Sequence, residues 1–151
     1  MAPKISLGLF YSIAKQLDHV QYKLGAKASL TQSPDSIDQI DCSGFARYMV
    51  FNTTSPAFVL VDGSANQHDW CEKNLKKIAD YKGVGLPEVR ADKSRLFIAF
   101  IPVSGGHGHV WFVNGGMTYE SHGGAGVDSR DCMTPILRDN VCAVYEFPTK
   151  G

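Results

Sequence analysis

The chain has 151 residues, of which 44% are hydrophobic and 20% charged. That is the composition of an ordinary globular protein with length for one domain, expected over 1–151, and a proper core. Its 15 basic and 15 acidic side chains cancel, so no electrostatic footprint for nucleic acid or an anionic membrane is present.

The opening "MAPKISLGLFYSIAKQL" has only a short apolar patch, with Lys15 and Asp18 soon after. It reads as neither a signal peptide nor a membrane span, so action outside the cell would need another delivery route. Residues 5–18 place Leu9, Ile13 and Leu17 at helical spacing and predict an amphipathic helix. A loop rich in Ser, Pro, Gly and Asp follows, from "YKLGAK" to "SPDSIDQ". A second helix is expected from about Cys42 to about Phe51, stopped by "NTTSP" because the residue before a proline avoids helical geometry. The stretch "SANQHDWCEKNLKKIADYKG" predicts a third helix, with Ser64 and Gln67 as a capping box and Gly83 and Gly85 beyond its end.

The pattern then changes to strands. "RLFIAFIPV" is a buried-strand run, "GHVWFV" alternates from His109, "NGG" is a hairpin turn and "MTYESH" is the returning strand. "NVCAVYEF" supplies a last strand. Helices first and an antiparallel meander afterwards predict an α+β fold.

The four cysteines, 42, 71, 132 and 142, show no zinc spacing. Cys132 and Cys142 flank a short segment and could bridge in an oxidising compartment, while Cys71 falls in a helical pattern and is expected to pack. Cys42, in "IDCSGFARYM", is different. As the first residue of a helix it would meet unpaired N–H groups and the positive end of the helix dipole, and both favour the nucleophilic thiolate. Ser43 and Gly44 are small enough to admit a substrate carbonyl. Asp41 is the expected N-cap, but its carboxylate would oppose the thiolate unless it turned toward the helix amides.

A nucleophilic cysteine needs a base, usually histidine. His19 and His68 fall on predicted helices or their edges and read as surface residues, and His107 sits in "SGGHG". His109, expected as the first residue of its strand, can aim its ring at a neighbouring helix terminus. On the returning strand Thr118, Glu120 and His122 share one face and can lie beside His109. Position counting favours Glu120 as the group that orients the imidazole, and residue type favours His122. The reading leans to His122, with Glu120 lining the cleft. A three-histidine metal site from "HGH" and His122 would leave "DCSGF" unexplained, so neither metal nor cofactor is expected.

The order "VQYKLGAK", "DCSGFARYM", "GHVWFVNGGMTYES" resembles the NlpC/P60 family of cysteine peptidases. There a "PYxxGG"-like turn precedes a "DCSG" nucleophile helix, and a "GHV" strand carries the base. Tyr22 and Gly25, Asp41 to Gly44, and Gly108 to Val110 match, and the likeness runs from about Tyr22 to Val127. Gln21 and Ala26 depart from the usual proline and second glycine. The resemblance implies a papain-like core and hydrolysis of amide bonds in peptidoglycan stem peptides, most often between D-glutamate and a diamino acid. It implies an oxyanion site built from the Cys42 N–H with the Tyr22 hydroxyl, and Asp41 and Ser43 beside it. The chain is similar to single-domain type VI secretion amidase effectors and phage cell-wall hydrolases, which implies action in the periplasm or wall after delivery. An immunity protein or a component of the delivery machine would then be a partner. Rival readings are transacylation or deamidation on the same scaffold, and a non-catalytic phage structural or binding module.

Overall fold

The computed structural model describes residues 2–80, 87–104 and 107–150. Its chain order is β1 (Ile5–Ser6), α1 (Leu7–Gln16), a single 3-10 turn (Pro34–Ser36), α2 (Cys42–Thr53), α3 (Ser64–Asn74), β2 (Lys76–Ala79), α4 (Pro87–Ala91), β3 (Leu96–Ser104), β4 (His107–Asn114), β5 (Met117–His122), β6 (Gly126–Asp128), α5 (Pro135–Asn140), β7 (Ala143–Phe147) and β8 (Thr149–Lys150). Six strands form one antiparallel sheet in the order β2-β7-β3-β4-β5-β6. β1 and β8 pair in parallel as a separate two-stranded sheet. The α+β expectation holds.

The sheet is covered on both faces, which is why β3 reads as an unbroken apolar run rather than an alternating one. Ile98, Phe100, Val110, Phe112, Tyr145 and Phe147 belong to the main core with α1, α2 and α3. Their neighbours of opposite parity, Phe97, Ala99, Trp111, Val113 and Val144, form a second core with Val89 of α4 and Leu137 of α5. Helix α2 lies deep in the main core, with nine of its twelve residues buried. It packs against β4 and β5, and its position fixes where its first residue, Cys42, can stand.

Several expectations need correction. In α1 the buried row is Phe10 and Ala14, with Leu17 just beyond, whereas Leu9 is 51% exposed. Phe10 stacks edge-on with Phe112 and Tyr119, and that aromatic cluster sets the phase of the helix. The third helix ends at Asn74, and Lys76–Ala79 form the edge strand β2 instead. A helix would put Leu75 and Ile78 on one face, but the sheet needs them apart, Leu75 in the main core and Ile78 in the second. The capping box does not form. Gly63 is the N-cap, at φ +86°, and Gln67 is buried, donating through Nε2 to the carbonyls of Ser43 and Val61 at 3.0 Å each. Gly83 and Gly85 lie outside the described residues. His109 is the third residue of its strand, because β4 starts at His107. Residues 140–142, expected within the last strand, instead finish α5 and link it to β7. The bridge expected between Cys132 and Cys142 is not formed.

Candidate active site

The loop before α2 is laid against the helix start by backbone pairing. Gln21 N–H donates to Asp38 O, Ile40 N–H to Gln21 O, and Asp41 N–H to Ala26 O, each at 2.9 Å. Asp41 then caps the helix, its Oδ1 accepting from Gly44 N–H at 2.7 Å and its Oδ2 from Gly25 N–H at 3.1 Å. The carboxylate has turned toward the amides, as a reactive Cys42 requires. It is also paired: Lys27 Nζ lies 2.8 and 2.7 Å from its two oxygens. Gly44 is needed for this packing. A Cβ there would stand 2.8 Å from Asp41 Oδ1 and 3.1 Å from Ala26 O. Close approach of the cap and the loop is thus a second reason for a small residue at Gly44, beside the one expected from the sequence.

Cys42 is the first residue of α2 and 8% exposed. His109 Nε2 lies 2.8 Å from Glu120 Oε1, and the ring stands close enough to Cys42 for the thiol to act on it electrostatically. Glu120, fully buried, is gripped from behind by Arg130, with Nε 3.0 Å from Oε2 and Nη2 2.9 Å from Oε1. The imidazole stacks on Trp111 at 5.4 Å between centroids. Burial disfavours the imidazolium, but hydrogen bonds and charge at Cys42 and Glu120 outweigh it and raise His109 to about 9. Burial likewise works against the Glu120 carboxylate. Hydrogen bonds from His109, Arg130 and Thr118 prevail and lower it to about 2.

The strand arrangement opens room for this group. The β4–β5 ladder runs from Asn114 opposite Met117 to Phe112 opposite Tyr119. From Glu120 onward β5 pairs with β6. His109 and Glu120 thus sit where two adjacent strands part. Ser121, buried in the same stretch, donates to Ile40 O at 2.8 Å and ties β5 to the approach to Cys42. Gly108 packs against β3, where a Cβ would come within 2.7 Å of Val103 Cγ2, so the residue before His109 must be small.

The lean to His122 as orienter is corrected. Its Nε2 meets Asp128 Oδ2 at 2.8 Å and its Nδ1 lies 3.1 Å from Gly123 O. Glu120, not His122, contacts His109, because pairing with β6 draws the end of β5 aside. Tyr22, His122 and Arg130 line a cleft of about 340 Å³ with Gly108 and His109, and Ile101, Ile136 and Leu137 add an apolar part to its lining. Burial, then the charges of Cys42 and Asp41, raises the Tyr22 phenol, consistent with a position beside the nucleophile. Ser43, expected to face substrate, is instead buried with its hydroxyl 2.7 Å from Lys27 Nζ. His19 is exposed, its Nε2 3.0 Å from Ile37 O. His68, expected at the surface, stacks on Phe100 at 4.7 Å and meets the Tyr145 hydroxyl. The thiol of Cys71 is pushed up by burial, as are those of Cys132 and Cys142.

Two members of the site, Lys27 and Arg130, carry no motif signal. Arg130 could have been suspected from charge alone, since a carboxylate buried on a strand needs a cation, but nothing in the spacing marks which one. Chemically, a thiol at a helix N-terminus, an imidazole on it and a carboxylate behind that imidazole form a nucleophile–base–orienter series suited to acyl transfer.

No family model matches the chain, and no curated protein sequence does. Among solved structures it is similar to a Staphylococcus aureus protein described as similar to a lipoprotein of the NLP/P60 family. The TM-score is 0.60 at 15% identity, over 99% of this chain and 45% of that one. The chain therefore spans under half the length of that protein. The likeness shows the fold and suggests the family.

Proposed function

We propose that the chain is a cysteine hydrolase that cleaves amide bonds in peptidoglycan stem peptides, between D-glutamate and a diamino acid. The observation that carries this is His109, set beside Cys42 and hydrogen-bonded to a buried, Arg130-held Glu120. In this reading His109 takes the thiol proton and the sulfur attacks the peptide carbonyl. The Cys42 N–H and the Tyr22 hydroxyl receive the oxyanion. His109 then protonates the leaving amine, and water frees the acyl group from sulfur. The resemblance to amidase effectors and phage hydrolases supports delivery to the periplasm or wall by a machine, with an immunity protein as a natural partner.

The test is digestion of purified peptidoglycan with mass spectrometry of the fragments, beside Cys42→Ala. Fragments ending at D-glutamate, with a new amine on the diamino acid and none from the variant, are expected. Cleavage that survives Cys42→Ala, or an untouched substrate, would end this reading.

A further inference from the structure

The aspartate that caps the nucleophile helix poses an electrostatic problem that the fold solves with one residue. Asp41 is the neighbour of Cys42 in sequence, is 5% exposed, and must stay in place because its oxygens hold Gly44 and Gly25. An unpaired carboxylate so close, shielded from water, would raise the energy of a thiolate next to it. Lys27 meets that carboxylate with a single ammonium, lying within 2.8 Å of both oxygens. The same ammonium donates to Ser43 Oγ at 2.7 Å and pairs with Asp62 Oδ1 at 3.1 Å.

We propose that Lys27 is a positioning residue for the nucleophile: its ammonium cancels the charge of Asp41, so that the helix cap can stand beside Cys42 without opposing the thiolate. The ammonium touches Asp41 and Ser43 rather than the reacting atoms, and acts on Cys42 through Asp41. The other titratable groups around the thiol are His109 on β4, backed by Glu120 and Arg130, and Tyr22 on the loop. Burial works against the Lys27 ammonium, but Asp41 and Asp62 more than offset it and keep it charged. The balance at the helix start is therefore one cation between two carboxylates, one of which, Asp62, is 56% exposed and screened by water.

The inference rests on Cys42 being the nucleophile, yet it is tested on the thiol itself, so its failure is separable from a failure to cut peptidoglycan. The experiment measures the pH dependence of Cys42 alkylation by iodoacetamide, with the modified peptide identified by mass spectrometry. Wild type, Lys27→Met, Lys27→Arg and the double variant Lys27→Met/Asp41→Asn are compared, each checked for native circular dichroism. Lys27→Met should raise the apparent pKa of Cys42 by about one unit, the scale expected of an uncompensated neighbouring charge at a half-shielded site. Lys27→Arg should restore most of the wild-type profile. Removing the aspartate charge should abolish the shift in the double variant, an outcome that loss of packing alone would not produce. If Lys27→Met unfolds, Asp41→Asn decides instead: with the Lys27 ammonium retained and the carboxylate charge gone, the apparent pKa of Cys42 should fall, and an unchanged profile overturns the proposal. An unchanged Cys42 profile in folded Lys27→Met, or a shift that persists without the Asp41 charge, overturns the proposal.

Discussion

At the scale of single residues the site separates one cysteine from the other three. Burial pushes the thiols of Cys71, Cys132 and Cys142 up, away from reactivity, whereas Cys42 has a helix N-terminus and a histidine at hand. Alkylation at mildly acidic pH should therefore label Cys42 first, and equal labelling of all four would count against a reactive thiol. Cys42→Ala should abolish hydrolysis and leave the thermal midpoint nearly unchanged, because the side chain lost is small. The contact between His109 and Glu120 makes a sharper prediction. Glu120→Gln should lower turnover by up to about 10,000-fold, the loss seen when the orienting carboxylate of a triad becomes an amide. His122→Ala, which removes a partner of Asp128 from the cleft wall, should cost less than about tenfold and act mainly on KM. Turnover measured on a soluble stem-peptide substrate decides, and the reverse ranking would hand the orienting role to His122.

At the scale of elements, what the sequence made legible was what local chemistry controls. The Asp41 cap, the start of α2 at Cys42 and the β4–β5 hairpin follow from cap and turn residues that act within a few positions. The stretch after α3 reads as more helix because Leu75, Lys76, Lys77, Ile78 and Ala79 are adequate helix formers. Only the ladder with β7, some seventy residues away in sequence, makes them a strand. Gln67 looked like a capping partner for the same reason, and its true partners, the Ser43 and Val61 carbonyls, are tertiary. Within the site the cysteine and histidine were legible by type and order. The choice between Glu120 and His122 was not, since it turns on β5 leaving β4 for β6, which no local pattern records. Gly44 gives this scale its test. Alanine has the better helix propensity by about 1 kcal/mol, yet its Cβ would press on Asp41 Oδ1 and the Ala26 carbonyl, a backbone atom with little freedom to move. Gly44→Ala should therefore destabilise the protein by about 1–3 kcal/mol in chemical denaturation. A gain in stability would mean that the loop yields.

For the whole molecule the site should shape the pH dependence of stability. Glu120 is lowered from 4.5 to about 2 on folding, so its contribution is complete above about pH 4.5 and is lost as pH falls through 2. His109 is raised from 6.5 to about 9, so its contribution is complete below about pH 6.5 and is lost as pH rises through 9. The two together give a plateau between roughly pH 4.5 and 6.5, with decline on both sides. Urea midpoints across pH should show the acid limb reduced in Glu120→Gln by about 3 kcal/mol, and the alkaline limb reduced in His109→Ala. Limbs identical to wild type would show that other groups control acid and base unfolding.

The parting of β4 from β5 also bears on the order in which the molecule is built. Cys42 is remote in sequence from His109 and Glu120, and the tie between Ser121 and Ile40 spans 81 positions. Hairpins and helices close short loops and form early, whereas contacts of such separation carry the larger closure entropy and form late. The slot between the strands exists only once β6 has captured the end of β5 and the 21–41 loop has docked. During refolding, selective reactivity of Cys42 should consequently lag the recovery of helical circular dichroism. Stopped-flow refolding with timed pulses of alkylating agent would register that delay. Simultaneous recovery of the two signals would mean that the slot closes in the same cooperative step as the rest of the chain.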